Sequence, residues 1–73
     1  MIPLSAQKRK QLTDARIAKG LSRPELAKLV GVSFEHIKRL EYGMVNPSTV
    51  LMFKICKVLD RSPDELFRDI VCA

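Results

Sequence analysis

The sequence predicts an all-α fold, a compact domain of five short helices. No run of four or more residues alternates apolar and polar side chains as a half-buried strand would. Glycines and prolines divide the 73 residues into five segments of helical length, and a serine stands at the start of each. With 47% apolar and 29% charged residues, the chain can bury one core. We interpret residues 1–73 as a single domain.

The first two segments have the clearest start and stop signals. Segment one is predicted over about Ser5–Lys19 and ends at Gly20, the residue favoured in the left-handed position after a helix. Segment two starts at Ser22, with Pro24 in its first turn and Glu25 as its third residue. Ser22 and Glu25 have the spacing of a capping box, in which each side chain binds a free backbone N–H group.

The connection between segments two and three is very short. Gly31 ends segment two, and Ser33 caps segment three only two residues later. Such a turn needs a positive φ at Gly31 and lets Val32 fill the angle between the helices. Segment three is predicted over about 34–42 and ends at Gly43. Segments two and three therefore have the arrangement of a helix-turn-helix.

The last two segments carry the remaining core residues. Ser48 caps segment four, and segment five begins at Ser62 or Pro63. The side chains expected to face inward are Met52, Ile55, Cys56 and Leu59 in segment four and Leu66, Phe67 and Ile70 in segment five.

The charge is concentrated in the first three-quarters of the chain. Residues 1–57 hold eleven basic and four acidic side chains, net +7, whereas residues 58–73 hold two and four, net −2. This imbalance favours a polyanionic partner, and nucleic acid is favoured over a membrane because no basic amphipathic helix stands alone.

The titratable residues argue against an enzyme or a metalloprotein. Cys56, Cys72 and the single His36 lack the spacing of a zinc site, and Cys56 is expected to be a small core residue. No paired carboxylates, nucleophile with a base, or phosphate-cradling glycine loop is present. We expect no cofactor and no small-molecule substrate. The N-terminus lacks a signal-peptide pattern, so we expect a cytoplasmic protein.

A distributed set of residues carries a family resemblance: Gly20-Leu21-Ser22-Arg23-Pro24-Glu25-Leu26-Ala27, Gly31-Val32-Ser33, Ile37, Glu41, Gly43, Asn46-Pro47-Ser48 and Asp64-Glu65-Leu66-Phe67. This set, spread over about Leu12–Phe67, resembles the phage repressor/Cro-type (XRE-like) helix-turn-helix family. The resemblance implies a lambda repressor-like fold with its helix-turn-helix over about 22–42. It also implies a sequence-specific transcriptional regulator that binds double-stranded DNA at the nucleoid, usually a bacterial or phage homodimer.

The resemblance also implies which side chains touch DNA. Base contacts are expected from Phe34, Glu35 and Arg39 on segment three: arginine with guanine, glutamate with cytosine, and phenylalanine with a thymine methyl group. Phosphate contacts are expected from Ser22, Arg23, His36, Lys38 and Asn46. Arg23 stands where most relatives have glutamine, and Lys38 where serine is common. The alternatives are a solvated helix face and, for Phe34, packing against Val32 or segment two.

Two further interactions follow from the resemblance and from segment four. Arg16 and Glu41 occupy positions where the family keeps an ion pair, the alternative being two independently solvated charges. Val50, Leu51, Met52 and Phe53 are four consecutive apolar residues that cannot all face one core. We therefore expect an exposed dimer surface on segments four and five, about 48–71. It is expected to comprise Val50, Leu51, Phe67, Ile70 and Val71.

Two functions are consistent with these features. The first is a dimeric repressor that reads a palindromic operator with segment three in the major groove. The alternative is a protein-interaction module, such as an antitoxin or antirepressor, that uses the same fold to hold another protein. The basic surface of segments two and three favours the first, and the apolar surface of segment four is compatible with the second.

Overall fold

A computed structural model describes residues 8–71, and they form six short helices. The helices are α1 (Lys10–Ala18), α2 (Arg23–Val30), α3 (Phe34–Glu41), α4 (Thr49–Leu59), α5 (Pro63–Leu66) and α6 (Arg68–Val71). The predicted all-α class is confirmed. Helix α2 packs against both α3 and α4, while α1 packs against α3 and α5.

The predicted boundaries are correct for α2, α3 and α4 because local hydrogen bonds fix them. Ser22, Ser33, Ser48 and Ser62 each accept a hydrogen bond from the backbone N–H three residues later. The capping box is complete, since Glu25 Oε1 also accepts from the Ser22 backbone N–H at 2.8 Å. Gly31 ends α2 with φ +77°, a conformation that opens the short turn into α3.

Two boundaries differ from the prediction. Helix α1 begins at Lys10 rather than near Ser5, which lies outside the described residues; Lys8 and Arg9 precede the helix. The predicted fifth helix is divided into α5 and α6 by Phe67, whose φ of −125° and ψ of 44° are not helical. Seating this large ring in the core takes precedence over helical continuity.

The core lies between α1, the helix-turn-helix of α2 and α3, α4 and α5, and it includes Phe67 just after α5. Its fully buried large side chains are Phe67, Leu12, Leu26, Ile37, Leu40, Ile55, Leu59 and Leu66. Three charged residues are buried among them, Arg9, Arg16 and Glu41. Burial of charge is costly without partners, so these three residues point to specific interactions. Between residues 8 and 71, the helices are all too short or too polar to cross a membrane.

Candidate nucleic-acid interface

Helix α3 presents one face to the core and the other to solvent. Ile37, Leu40 and Glu41 are buried on the inner side. The outer side carries Phe34, Glu35, Lys38 and Arg39, all exposed. The turn at Gly31 and the cap at Ser33 hold this helix at the edge of the molecule, so its first residues stand free to enter a groove.

The three residues expected to contact bases share one shallow surface groove, together with Lys38, Tyr42 and Met44. Glu35 and Arg39 lie one turn apart and approach to 3.6 Å, and both side chains remain more than half exposed. Such an exposed pair contributes little to stability and separates at little cost. Phe34 is 44% exposed, so part of the ring is covered while the rest faces solvent.

The start of α2 is joined to the end of α3 through Arg23. Arg23 Nε donates to Glu41 Oε1 at 2.9 Å, and its guanidinium lies 5.5 Å from the centre of the Tyr42 ring. The hydrogen bond to Glu41 raises the pKa of Arg23 above its ordinary value. From the sequence, Arg23 is expected to contact a phosphate and has no predicted partner within the protein; the structure places it half-buried and bound to Glu41.

Glu41 is shared by two arginines. Arg16 Nε donates to Glu41 Oε2 at 2.6 Å, and Arg16 Nη1 donates to the Leu21 carbonyl at 2.7 Å. The ion pair expected between Arg16 and Glu41 is therefore present, with Arg23 as a second cation on the same carboxylate. The Glu41 side chain is fully buried, so this cluster fixes α3 relative to α1 and α2.

Lys8 belongs to the same surface but has no sequence signal of its own. Its Nζ lies 5.1 Å from the centre of the Tyr42 ring, so Lys8 and Arg23 both contact Tyr42. Both contacts lie within the range of a cation–π interaction. The basic surface therefore extends from the start of α2, past the end of α3, to the residue two places before α1.

His36 and Asn46 lie on the other side of α3 and line a second groove, with Gly31, Ser48 and Lys54 among its other residues. His36 is half-buried and Asn46 is exposed. The Asn46 side-chain oxygen is not free, because it accepts a hydrogen bond from Arg9 Nη2 at 2.8 Å. Among residues 8–71, the amide nitrogen donates no hydrogen bond, so it can bind another acceptor.

Arg9 is a buried residue whose contacts were not predicted from the sequence. It is only 4% exposed, and its guanidinium donates to the Leu40 carbonyl at 2.6 Å and the Val45 carbonyl at 2.9 Å. It also donates to Asn46 and, through two nitrogens, to Asp69 at 3.0 and 3.1 Å. Because Arg9 lies in the basic run Lys8-Arg9-Lys10, charge patterning alone predicts a solvated side chain.

The expected dimer surface needs correction. Leu51 and Phe67 are buried in the core of the monomer, so neither can contribute an exposed surface. Leu51 follows the α4 stripe that continues with Ile55 and Leu59, and Phe67 is seated by the break between α5 and α6. Exposed apolar side chains on these helices are Val50 (64%), Phe53 (56%), Ile70 (36%) and Val71 (44%). Phe53 was not part of the predicted surface. Ile70, which was also expected to face inward, is exposed because α6 buries none of its residues.

The cysteines do not form a chemical site in the described part of the chain. Cys56 is buried, and burial, followed by the charge of Glu65, raises the pKa of its thiol. Cys72 lies outside the described residues. Among residues 8–71, no group of three His, Cys, Asp or Glu side chains is placed to hold a metal ion.

Comparison with known proteins agrees with this geometry. A family model described as helix-turn-helix matches residues 12–66. Two proteins of Archaeoglobus fulgidus, each described as an uncharacterized HTH-type transcriptional regulator, are 41% and 37% identical to this chain over 59 residues. These alignments cover 81% of this chain and 84% and 83% of the two relatives.

Two solved structures are similar over most of the chain. The restriction-modification controller protein C.AhdI from Aeromonas hydrophila matches with a TM-score of 0.71 and 40% identity, covering 80% of this chain and 88% of that one. The clp gene regulator ClgR from Corynebacterium glutamicum matches with a TM-score of 0.76 and 28% identity, covering 92% and 72%. The chain therefore belongs to the helix-turn-helix family of Cro/C1-type DNA-binding transcriptional regulators.

Proposed function

We propose that the protein is a homodimeric repressor that reads a palindromic operator, with α3 in the major groove. The observation that carries this proposal is the two-sided character of α3: a buried inner stripe fixes the helix, and a polar and aromatic outer face stands free. The major groove, about 12 Å wide, admits a helix presented in this way. In this reading residues 1–73 act as one domain, in the cytoplasm where the DNA is.

The outer face of α3 supplies the base contacts in this proposal. Arg39 donates to guanine O6 and N7, Glu35 accepts from the cytosine amino group, and Phe34 packs against a thymine methyl group. The weak pair between Glu35 and Arg39 supports this assignment, because a guanidinium that is paired with an exposed carboxylate can leave it for a base at little cost.

The phosphate contacts flank α3 on two sides. On one side, Ser22 and Arg23 at the start of α2 lie near the DNA backbone, and Arg23 is held in place by Glu41. On the other, His36 and Asn46 line one groove and supply donors to the opposite strand. Lys38, exposed on α3 itself, adds a further cation. Contacts of this kind position the protein and carry no sequence information.

The dimer surface in this proposal lies on the last three helices. Val50 and Phe53 are three residues apart on α4, one helical turn, so both project from the same side of that helix. Ile70 and Val71 are exposed on α6. A two-fold dimer through these helices would place the two copies of α3 about 34 Å apart, one turn of DNA.

Selection of bound duplexes from a random library tests the whole proposal. A palindromic motif with half-sites about 10 base pairs apart is expected. Protection mapping on a selected duplex should then show two protected major grooves on one side of the DNA. A single unpaired half-site would contradict the dimeric reading, and an unenriched library would contradict sequence-specific recognition.

One observation favours the alternative function, a module that holds another protein. Val50 and Phe53 are large apolar side chains and remain more than half exposed on α4 in the monomer. If the protein is monomeric at hundreds of micromolar while binding a single half-site, this surface is left for a different partner. An antitoxin or antirepressor role would then gain at the expense of the dimeric repressor.

A further inference from the structure

Arg9 lies at the junction of four parts of the chain. Its backbone N–H donates to the Glu41 carbonyl at 2.7 Å, and its side chain reaches the end of α3, the loop before α4, and α6. We propose that Arg9 is a positioning residue for DNA binding, which holds the Asn46 amide so that its NH2 group faces a backbone phosphate. This inference rests on the proposed function.

The first step of the argument is that the guanidinium has no free donor. An arginine side chain carries five N–H groups in a fixed fork. Nη1 donates to the Leu40 and Val45 carbonyls, Nη2 donates to Asn46 and Asp69, and Nε donates to the second oxygen of Asp69. All five donors are thus used within hydrogen-bond distance, so rotation of the group would break several bonds at once.

The second step concerns charge. Asp69 binds the guanidinium with both oxygens, and the Phe67 ring centre lies 5.5 Å from Arg9 Cζ. The charge of Arg9 is therefore neutralised within the protein, and Arg9 itself, 4% exposed, is not available to DNA. Its effect on DNA must pass through the residues that it holds.

The third step is the orientation of Asn46. A carboxamide carries an acceptor on one side and two donors on the other. Because Arg9 Nη2 binds Oδ1 at 2.8 Å, the exposed side of the amide is the NH2 group. A phosphate oxygen accepts from such a donor, whereas the flipped amide would present lone pairs to an anion. Arg9 therefore holds Asn46 in the orientation that attracts the DNA backbone, and loss of this bond would leave the amide free to turn.

A double-mutant cycle tests this role. The variants are Arg9→Lys, Asn46→Ala and the double variant, measured by fluorescence anisotropy on a selected duplex and on a random-sequence duplex. Asn46→Ala is expected to weaken binding to both duplexes by about tenfold, since a hydrogen bond to a charged group is lost. Arg9→Lys should produce a similar loss when Asn46 is present and little further loss when Asn46 is alanine.

Two controls separate positioning from a general loss of structure. Arg61→Lys makes the same exchange in an exposed pair with Glu65 and should leave binding unchanged. If Arg9→Lys does not fold, Asp69→Asn replaces it. This change weakens the ion pair that holds Arg9, and the Asp69 side chain is exposed, so the substitution disturbs the core less. Thermal unfolding of every variant shows which of them remain native at the temperature of the binding measurement.

Asn46→Asp provides a second, independent readout. It keeps an acceptor for Arg9, so the unfolding midpoint should be maintained, while the outward donors are replaced by an anionic oxygen. DNA affinity should therefore fall further than in Asn46→Ala. Thr49→Asp, which adds the same charge at the first residue of α4, should produce a smaller loss.

The outcomes distinguish this inference from the function on which it rests. If the wild-type protein binds DNA and Asn46→Ala binds it with the same affinity, the role of Arg9 is overturned and the repressor proposal is left intact. Equal losses from Arg9→Lys with and without the Asn46 side chain also overturn it, because the effect then does not pass through the amide. A wild-type protein that enriches no duplex from the random library and does not bind the random-sequence duplex overturns the proposed function and this inference together.

Discussion

Arg23 donates its Nε proton to Glu41 Oε1 at 2.9 Å, which anchors the cation at the start of α2 to the end of α3. This bond uses Nε, and Arg23 Cζ lies 5.5 Å from the centre of the Tyr42 ring. A cation held in this way binds a phosphate with less loss of side-chain entropy than a free lysine or arginine would. In the proposed complex, Arg23 would therefore both stabilise the fold and bind a phosphate.

The first prediction is that Arg23→Gln weakens binding to every DNA sequence. The slope of log K against log salt concentration should shrink by about one unit per protomer, because one phosphate contact is lost. Equilibrium titrations at several salt concentrations measure this slope. Lys57→Gln removes the same charge in the last turn of α4 and should leave the slope nearly unchanged. A wild-type slope in Arg23→Gln would remove Arg23 from the interface.

The second prediction is that Arg39→Ala lowers affinity for the selected operator by about 1–3 kcal/mol and affects random DNA much less. The reason is that a base contact discriminates between sequences, whereas a phosphate contact does not. Competition between the two duplexes in one titration gives both values. Arg39→Ala also removes the exposed ion pair with Glu35, and this loss should change the free energy of unfolding by less than about 1 kcal/mol. Equal losses on both duplexes would instead assign Arg39 to the phosphates.

The third prediction concerns the buried carboxylate of Glu41. Glu41→Gln leaves Arg16 and Arg23 without their shared counter-charge and should lower the free energy of unfolding by about 3–5 kcal/mol. Urea denaturation followed by circular dichroism measures the change. Glu65→Gln, in the exposed pair with Arg61, serves as the control and should cost less than about 1 kcal/mol. If Glu41→Gln and Glu65→Gln lowered the free energy of unfolding by similar amounts, the buried ion pairs of Glu41 would contribute no more to stability than an exposed pair does.

The fourth prediction is that Val50→Glu converts a dimer to a monomer without unfolding it. Val50 is 64% exposed, so a charge there is tolerated in the monomer but repels its copy near a two-fold axis. Phe53→Glu should act in the same way. Leu29→Glu alters an exposed apolar residue on α2 and should leave the association state unchanged. Sedimentation equilibrium measures the association state of each variant. If both Val50→Glu and Phe53→Glu remain dimers, the dimer interface lies elsewhere.

The fifth prediction is a pH dependence from the capping box. The hydrogen bonds from Ser22 hold the pKa of Glu25 below its ordinary value. A carboxylate with a lowered folded pKa stabilises the fold above its unfolded pKa and loses that contribution as pH falls through the folded value. Glu25→Gln keeps an acceptor without the charge. The difference in unfolding midpoint between wild type and Glu25→Gln should therefore be constant near neutral pH and diminish in acid below about pH 4. If the unfolding midpoints of wild type and Glu25→Gln differed by the same amount at every pH, the lowered pKa of Glu25 would be contradicted.

Features that depend on residues close together in the chain were predictable. The serine caps and the capping box act over three residues, and the turn at Gly31 acts over two, so the sequence is sufficient to place α2, α3 and α4. The pair of Arg16 with Glu41 is different. The two residues are 25 positions apart, and the expectation came from the family resemblance rather than from spacing.

The features that were missed depend on packing over long distances. Arg9 is flanked by two lysines, and its burial follows only once α3, the loop before α4 and α6 have been assembled around it. In α4, helical periodicity was sufficient to predict which side chains are buried. Leu51, Ile55 and Leu59 are spaced by four, so Leu51 faces inward and Phe53 faces outward. Phe67 is buried, in agreement with its place among the inward-facing residues of segment five, but the helix break at Phe67 was not predicted because no glycine or proline signals it.

The contact between Arg9 and Asp69 closes a loop of 60 residues, nearly the whole described chain. Helical turns form within about a microsecond from local interactions, but this contact can form only when both ends of the fold are in place. We therefore expect it to be largely absent from the folding transition state, so that it slows unfolding and has little effect on the folding rate. The lifetime of the folded protein, and therefore the time between the unfolding events in which a protease can cut it, then depends on two side chains that lie outside α3.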